Sequence, residues 1–283
     1  MRPAIINFCP TGMVPMKEHN ASVPIAVEEI VSQVHEAFEV GITLAHLHAR
    51  HADGTAAWEP EIYQRIMEGV RKHCPGLVIC LSTSGRLFPE FEKRSAVIEL
   101  RPDMCSLTLG SLNFMDQASI NSPEMIKALA MKMVDHGVRP EFECFDTGMI
   151  TYGLYLRRKL ALEGPTYWNL LFGNIAGMQA DLTSMAAATT MIPGEDGHHV
   201  VLAGLGTFQL TVTTTAIAHG HGVRVGLEDN LWYDRQRHRP ATNIDLLRRV
   251  HALMEVHERP LLTTREFGRS GFYNAYHATG VKQ

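Results

Sequence analysis

Eight short apolar runs punctuate the chain, and most are followed by a segment with apolar residues at helical spacing. The runs are AIINFC (4–9), ITLAHLHA (42–49), LVICLST (77–83), MCSLTL (104–109), PEFECF (140–145), YWNLLFG (167–173), HVVLAGL (199–205) and GVRVGLE (222–228). Their length and branched aliphatic content predict buried strands. In the first intervening segment, Val27, Ile30, Val31, Val34 and Phe38 make one helical stripe. Ser22 is its expected cap, with Pro24 near the start and Gly41 at the end. Two later helices are marked in the same way: SPEMIKALAMKMVDHG (122–137) opens on Ser122 and Pro123, and TNIDLLRRVHALMEVHER (242–259) opens on Thr242.

Strand followed by helix, repeated along the chain, requires parallel strands joined by crossover helices. A doubly wound open sheet satisfies that pattern. Eight units in 283 residues are better accommodated by a barrel. The expected architecture is therefore α/β, a single (β/α)8 TIM-barrel domain over residues 1–283. Its chemistry should lie at the C-terminal ends of the strands.

Strand parity supplies that chemistry. His46 and His48 fall on one face of the second run with Leu44, while Ala45, Leu47 and Ala49 take the helix-facing side. With 15 histidines in the chain, a lone one carries little weight. Two on one face at a barrel mouth are a ready pair of metal ligands, the alternative being two hydrogen-bonded core histidines. On the eighth run, Arg224, Gly226 and Glu228 oppose Val223, Val225 and Leu227. An inward Glu228 is costly unless paired or bound to a cation, so it is the expected third ligand, with an internal Arg224–Glu228 ion pair as the alternative. Asp229 begins the next loop. Ser82 and Ser84, Ser106 and Thr108, and Glu141 and Glu143 also share inward parities, and Ser111 and Asn113 follow in a loop. A purely structural barrel fills those layers with branched apolar side chains, so the set predicts a polar pocket.

Two glycine-bearing loops are candidate anion sites: STSGR after the third strand, and GLGTFQ, with Gly204 and Gly206, after the seventh. The pair His219 and His221, and the stretch GEDGHHV (194–200), precede strands and belong at the opposite mouth. FYNAYH (272–277) either closes the barrel bottom or packs on a neighbouring subunit.

Composition narrows the class further. The chain is 45% apolar and 20% charged, as ordinary globular proteins are, and its formal charge of -4 gives no reason to expect nucleic acid or a membrane surface. No apolar run approaches the roughly 20 residues of a membrane span. The start, MRPAIINFCPTGM, is too short in apolar residues for a signal peptide, and a cytoplasmic protein is expected. Cys9, Cys74, Cys80, Cys105 and Cys144 are scattered, odd in number and without CxxC spacing, which predicts buried free thiols.

PTGMVP, HLHAR, SLTLGSLNF, RPEFECFDTG and RVGLEDN occur in that order. Across nearly the whole chain this pattern resembles the β-keto acid cleavage enzyme family, best known for 3-keto-5-aminohexanoate cleavage. The resemblance implies a (β/α)8 barrel, usually a homotetramer, with a catalytic Zn2+ on His46, His48 and Glu228. It implies Arg224 and Asp229 as catalytic residues, and Ser82, Thr108 and Glu143 in contact with substrate. It also implies acetyl-CoA as co-substrate, a β-keto acid being converted to acetoacetate and a new acyl-CoA. The implied chemistry is metal-assisted enolate formation with Asp229, held by Arg224, as base, then attack on the acetyl thioester and a retro-Claisen step. No side-chain nucleophile is needed, and no Ser-His-Asp or Cys-His signature is present. Members acting on the amino substrate carry an acid in the loop after the first strand. Here Val14 stands early in that loop, and the nearest acid, Glu18, adjoins Lys17. The expected substrate has no cation there. The rival readings are a metal-dependent hydrolase of the amidohydrolase kind, whose HxH lies on its first strand, a metal-dependent aldolase without CoA, and a barrel that binds without turnover.

Overall fold

All eight apolar runs are strands. The computed structural model describes residues 2–194 and 197–278. Its barrel strands are β1 (Ile6–Phe8), β2 (Leu44–Leu47), β3 (Val78–Leu81), β4 (Met104–Thr108), β5 (Arg139–Cys144), β6 (Thr166–Phe172), β7 (His198–Gly204) and β8 (Gly222–Val225). They pair in parallel in the order β1-β8-β7-β6-β5-β4-β3-β2, and pairing of β1 with β2 closes the ring. Asn7 sits in register with both Leu44 and Arg224, and no strand of the ring is left with a free edge, as an open sheet would have. The helices are α1 (Val27–Val40), α2 (Pro60–His73), α3 (Phe91–Ser95), α4 (Pro123–Asp135), α5 (Thr147–Lys159), α6 (Leu182–Met191), α7 (Gln209–Ala218) and α8 (Asn243–Val256).

Helix starts follow local chemistry. Ser122 accepts the Met125 amide at 3.2 Å and Thr242 accepts the Asp245 amide at 3.0 Å, each satisfying one otherwise orphaned donor. The start of α1 differs from expectation. Pro24 keeps the residue before it out of the helical region, so Ser22 lies outside the helix and Ala26 is the N-cap residue. Glu29 supplies the missing acceptor by reaching back to the amides of Ile25 and Ala26 at 2.9 and 3.1 Å.

The barrel interior is layered. Ile5, Leu44, Val78, Met104, Tyr167 and Val201 fill the lower part, with Phe267 and Phe272 packed among them. Those two phenyl rings stack at 4.1 Å and both meet Tyr167 edge-on. The hydroxyl of Tyr273 donates to the Gly76 carbonyl at 2.6 Å. The aromatic segment beginning at Phe272 thus closes the barrel bottom. Above this plug the interior turns polar, with Asn7, His46, Glu141, Asn169 and Arg224 all buried. The outward parities, including Ala45, Leu47, Phe142, Val223 and Val225, join the helix-layer core. All five cysteines are free and buried. Among the described residues no helix is long and apolar enough to cross a membrane.

The histidines set apart in the sequence lie at the lower end. His219 caps the C-terminus of α7. Of GEDGHHV, residues 195 and 196 lie outside the described residues, whereas His199 packs edge-on against Phe267 and Phe272. Burial, followed by Arg2, pushes His199 down to about 4 from its ordinary 6.5. Burial, followed by Arg259, does the same to His221. Both fold as neutral rings, so an unfolded chain binds more protons than the folded one below about pH 6.5. Their stabilising contribution is complete above that value and is lost as pH falls toward 4. Tm should therefore drop between pH 7.5 and pH 5, and the drop should be smaller in His199→Gln. An unchanged acid slope in that variant would remove His199 from the explanation.

Candidate metal centre and active site

The polar layer begins with β2. Its period of two aims His46 and His48 into the barrel, both buried. His46 Nδ1 lies 2.7 Å from Glu141 Oε2 on β5. A carboxylate only accepts, so His46 carries a proton on Nδ1, which leaves Nε2 as the nitrogen available to a metal. That Nε2 faces His48 Nε2 at 3.1 Å, and His48 Nε2 lies 3.1 Å from Glu228 Oε1. Glu228 has a second oxygen, Oε2, that is buried without a hydrogen-bond partner. One ligand atom from each of His46, His48 and Glu228 converges within 4.8 Å. Two imidazole nitrogens and a carboxylate meeting in one place, the carboxylate with one oxygen still unpaired, fit a divalent cation with a position left open.

His46, Cys80 and Glu141 also converge, but their contacts are a hydrogen-bond network behind the ring. Glu141 accepts from Asn7 at 2.8 Å, from Asn169 at 3.1 Å and from the Cys80 thiol at 3.1 Å. Burial, then Glu141, pushes that thiol well up, so it remains a protonated donor. The network orients His46 in the manner of an outer-shell carboxylate.

Glu228 stands beyond the end of β8, where its amide donates to the Cys9 carbonyl at 3.3 Å. Its side chain passes under Gly12, where a Cβ would lie 2.5 Å from Glu228 Cγ, and Gly12 adopts φ +66. Glycine in PTGMVP is thus required by both conformation and space. Arg50, from HLHAR, is buried and holds the same loop by donating to the Gly12 carbonyl at 2.9 Å.

Arg224 binds three carboxylates at once. Its Nε and Nη2 reach Asp229 at 2.9 and 3.2 Å, Nη2 also reaches Glu228 Oε1 at 2.6 Å, and Nη1 lies 3.7 Å from Glu143. The ion pair considered as an alternative to the metal site therefore exists, yet it occupies only Oε1 of Glu228. Burial alone would raise the Glu228 carboxyl. Arg224, then His48 and His46, overcome it and hold the group well below the usual carboxylate range. Burial and then Glu141 push Glu143 up, and Thr108 donates to it at 2.8 Å. Burial keeps His48 low and hence neutral.

These groups open into one cavity of about 210 Å³. Ser82, Ser84, Thr108, Glu143, Arg224, Glu228 and Asp229 line it with both histidines. Ser106 is instead taken up structurally, accepting the Thr83 amide at 3.1 Å. In GLGTFQ, Gly204 serves packing and Gly206 adopts φ +57 with open space around it. A Cβ on Gly204 would lie 2.7 Å from the Phe208 carbonyl oxygen and Gln209 Cα, and the Gly206 amide is donated to the Asp229 carbonyl at 2.7 Å. Gly206 is therefore not a free donor for a phosphate, although Leu205 between them does line the cavity. Sequence reasoning did not pick out Asn7, Asn169, Cys9 and Arg50. Two of these were signalled by an asparagine on the inward parity of an otherwise apolar run.

A family model described as beta-keto acid cleavage enzyme matches residues 3–269. The chain is 36% identical over 267 residues to the 3-oxoadipate:acetyl-CoA acetyltransferase of Cupriavidus necator, covering 94% of this chain and 93% of that protein. It is 33% identical over 268 residues to the 3-keto-5-aminohexanoate cleavage enzyme of Acetoanaerobium sticklandii, covering 94% and 97%. Among solved structures, the apo structure of ObcA matches with a TM-score of 0.75 at 18% identity, over 89% of this chain and 66% of that one. That last likeness is one of fold.

Proposed function

The chain belongs to the β-keto acid cleavage enzyme family, and from that premise we propose that it converts a β-keto acid and acetyl-CoA into acetoacetate and a new acyl-CoA with a zinc ion held by His46, His48 and Glu228. The observation that carries this reading is the convergence of two facing imidazole nitrogens with Glu228, whose Oε1 lies 3.1 Å from His48, in the same cavity as an Asp229 pinned by Arg224. Two nitrogens and one oxygen suit zinc, and a bound zinc ion would polarise the keto oxygen and acidify the adjacent methylene.

The chain's own residues then divide the work. Asp229, oriented by two bonds from Arg224, takes the methylene proton. The resulting carbanion forms a carbon–carbon bond to the acetyl carbonyl, and the carbon–sulfur bond breaks. The released thiolate adds to the substrate's own keto carbon. The original bond between that carbon and the methylene carbon then breaks, and Asp229 returns its proton to the departing acetoacetate. Ser82, Thr108 and Glu143 line the substrate space, and Thr108 fixes Glu143 by donating to it at 2.8 Å. Acetyl-CoA is assigned to the mouth beside Leu205, in the loop bearing Gly204 and Gly206. A homotetramer in the cytoplasm is part of the same reading.

Val14 lines the cavity where an acid would meet a substrate ammonium. Nearby Lys17 is paired with Glu29, and Glu18 lies beside His19 at 3.8 Å. The test is acetoacetate formation from a panel of β-keto acids, with and without acetyl-CoA, on protein of known metal content. Acetoacetate that requires acetyl-CoA is expected, with neutral or anionic substrates exceeding 3-keto-5-aminohexanoate and dehydrocarnitine in kcat/KM. Cleavage without acetyl-CoA would instead establish the aldolase reading. A clear preference for the cationic substrates would overturn the argument from Val14.

A further inference from the structure

The loop after β3 carries a cation that the chemistry above leaves unused. Arg86 lines the same cavity as the metal-ligand cluster. Arg224 is hydrogen-bonded to Asp229 and Glu228, and its Nη1, without a hydrogen bond, lies 3.7 Å from Glu143. Arg86 makes no salt bridge among the described residues, although the Asp116 charge favours its protonated form. Its Nε is buried and has no hydrogen-bond partner.

The guanidinium is also held in place. It stacks 4.0 Å over the Phe114 ring, which in turn meets Phe145 edge-on at 5.6 Å. The Arg86 carbonyl accepts from Gln117 at 2.6 Å, which ties the segment to the small hairpin after β4. Beneath it, Arg94 donates to the Thr83 carbonyl at 2.9 Å and to Asn121 at 2.7 Å. A Cβ on the neighbouring Gly85 would lie 2.4 Å from the Arg94 guanidinium. The chain thus positions an unpaired, partly desolvated, planar cation in the cavity wall. Such a group matches a carboxylate in two parallel hydrogen bonds.

We propose that Arg86 selects for a second carboxylate, so that the cavity takes a β-keto diacid: the β-keto acid end lies toward His46, His48 and Glu228, and the distal carboxylate pairs with Arg86. This rests on reading the cavity as a β-keto acid site. It goes beyond that reading in naming the substrate class and the residue that recognises it. The phosphates of acetyl-CoA are the other anions within the same chemistry, and the experiment separates the two.

Two substrates of equal chain length, 3-oxoadipate and 3-oxohexanoate, are compared on the wild type, Arg86→Met and Arg86→Lys. The wild type should prefer the diacid. Arg86→Met should lose roughly 10- to 100-fold in kcat/KM on the diacid, mainly through KM, and be nearly unchanged on the monoacid. Arg86→Lys should recover part of the loss, and the KM for acetyl-CoA should not move. Equal losses on both acids, or a rise in the acetyl-CoA KM with both, would assign Arg86 to acetyl-CoA or to structure and overturn the proposal. Calorimetry with adipate and hexanoate supplies a readout without turnover: adipate should bind more tightly to the wild type, and that advantage should vanish in Arg86→Met. If neither keto acid yields acetoacetate yet adipate binding depends on Arg86, the family reaction fails and the carboxylate site stands. If both acids are cleaved equally well and Arg86→Met changes neither, the reaction stands and this proposal falls.

Discussion

Asp229→Asn should lower kcat by about three orders of magnitude, within the range spanned by loss of a positioned general base, while metal content stays at the wild-type level. The amide retains the shape that Arg224 grips but cannot accept the methylene proton. A second readout isolates that step. In D2O without acetyl-CoA, the wild type should exchange the methylene hydrogens of a bound β-keto acid, and the variant should not. Exchange at the wild-type rate in Asp229→Asn would place the base elsewhere, whatever happened to turnover. Arg224→Lys provides a graded companion, because a lysine cannot hold Asp229 and Glu228 through one planar fork.

Removal of a ligand should act differently. His46→Ala should reduce metal affinity by more than about 100-fold and abolish acetoacetate formation. Glu141→Gln, which touches the metal site only through His46 Nδ1, should fall within the roughly 10- to 100-fold range of outer-shell changes. Metal content by atomic emission, and affinity by chelator competition, would order the two. A His46→Ala protein that kept stoichiometric metal would end the assignment of His46, His48 and Glu228 as its ligands. A chelator-treated wild type should reproduce the variant's inactivity and recover when zinc is returned.

Much of this site was legible because a strand repeats every two residues. Parity put His46 with His48, whereas Glu228 lies past the end of β8 and the turn that follows the strand brings it beside Arg224; barrel closure then brought the pairs together. Glu141 was legible as an inward residue but not as the partner of His46, because that contact spans 95 residues across the barrel interior. Asn7 and Asn169 were hidden for the same reason: each lies inside an apolar run, and the acceptor that makes it tolerable belongs to β5. A local signal misled at one place: Ser22 looked like a helix cap until Pro24 kept the chain extended past it. In GLGTFQ the sequence could not show that close packing of the following helix on β7 requires Gly204, or that the Gly206 amide is bonded to the Asp229 carbonyl. Motif spacing cannot report such non-local crowding.

The aromatic plug of Phe267, Phe272 and Tyr167 has a consequence for traffic. Among the described residues the plug seals the lower end of the barrel, which leaves the upper mouth for exchange with solvent. On the proposed reaction, ordered kinetics are therefore expected: the small acid beside His46 binds before the bulky thioester and leaves after the bulky product, and random-order product inhibition would contradict this. The order of visitors would then be set by the end of the barrel that takes no part in the chemistry.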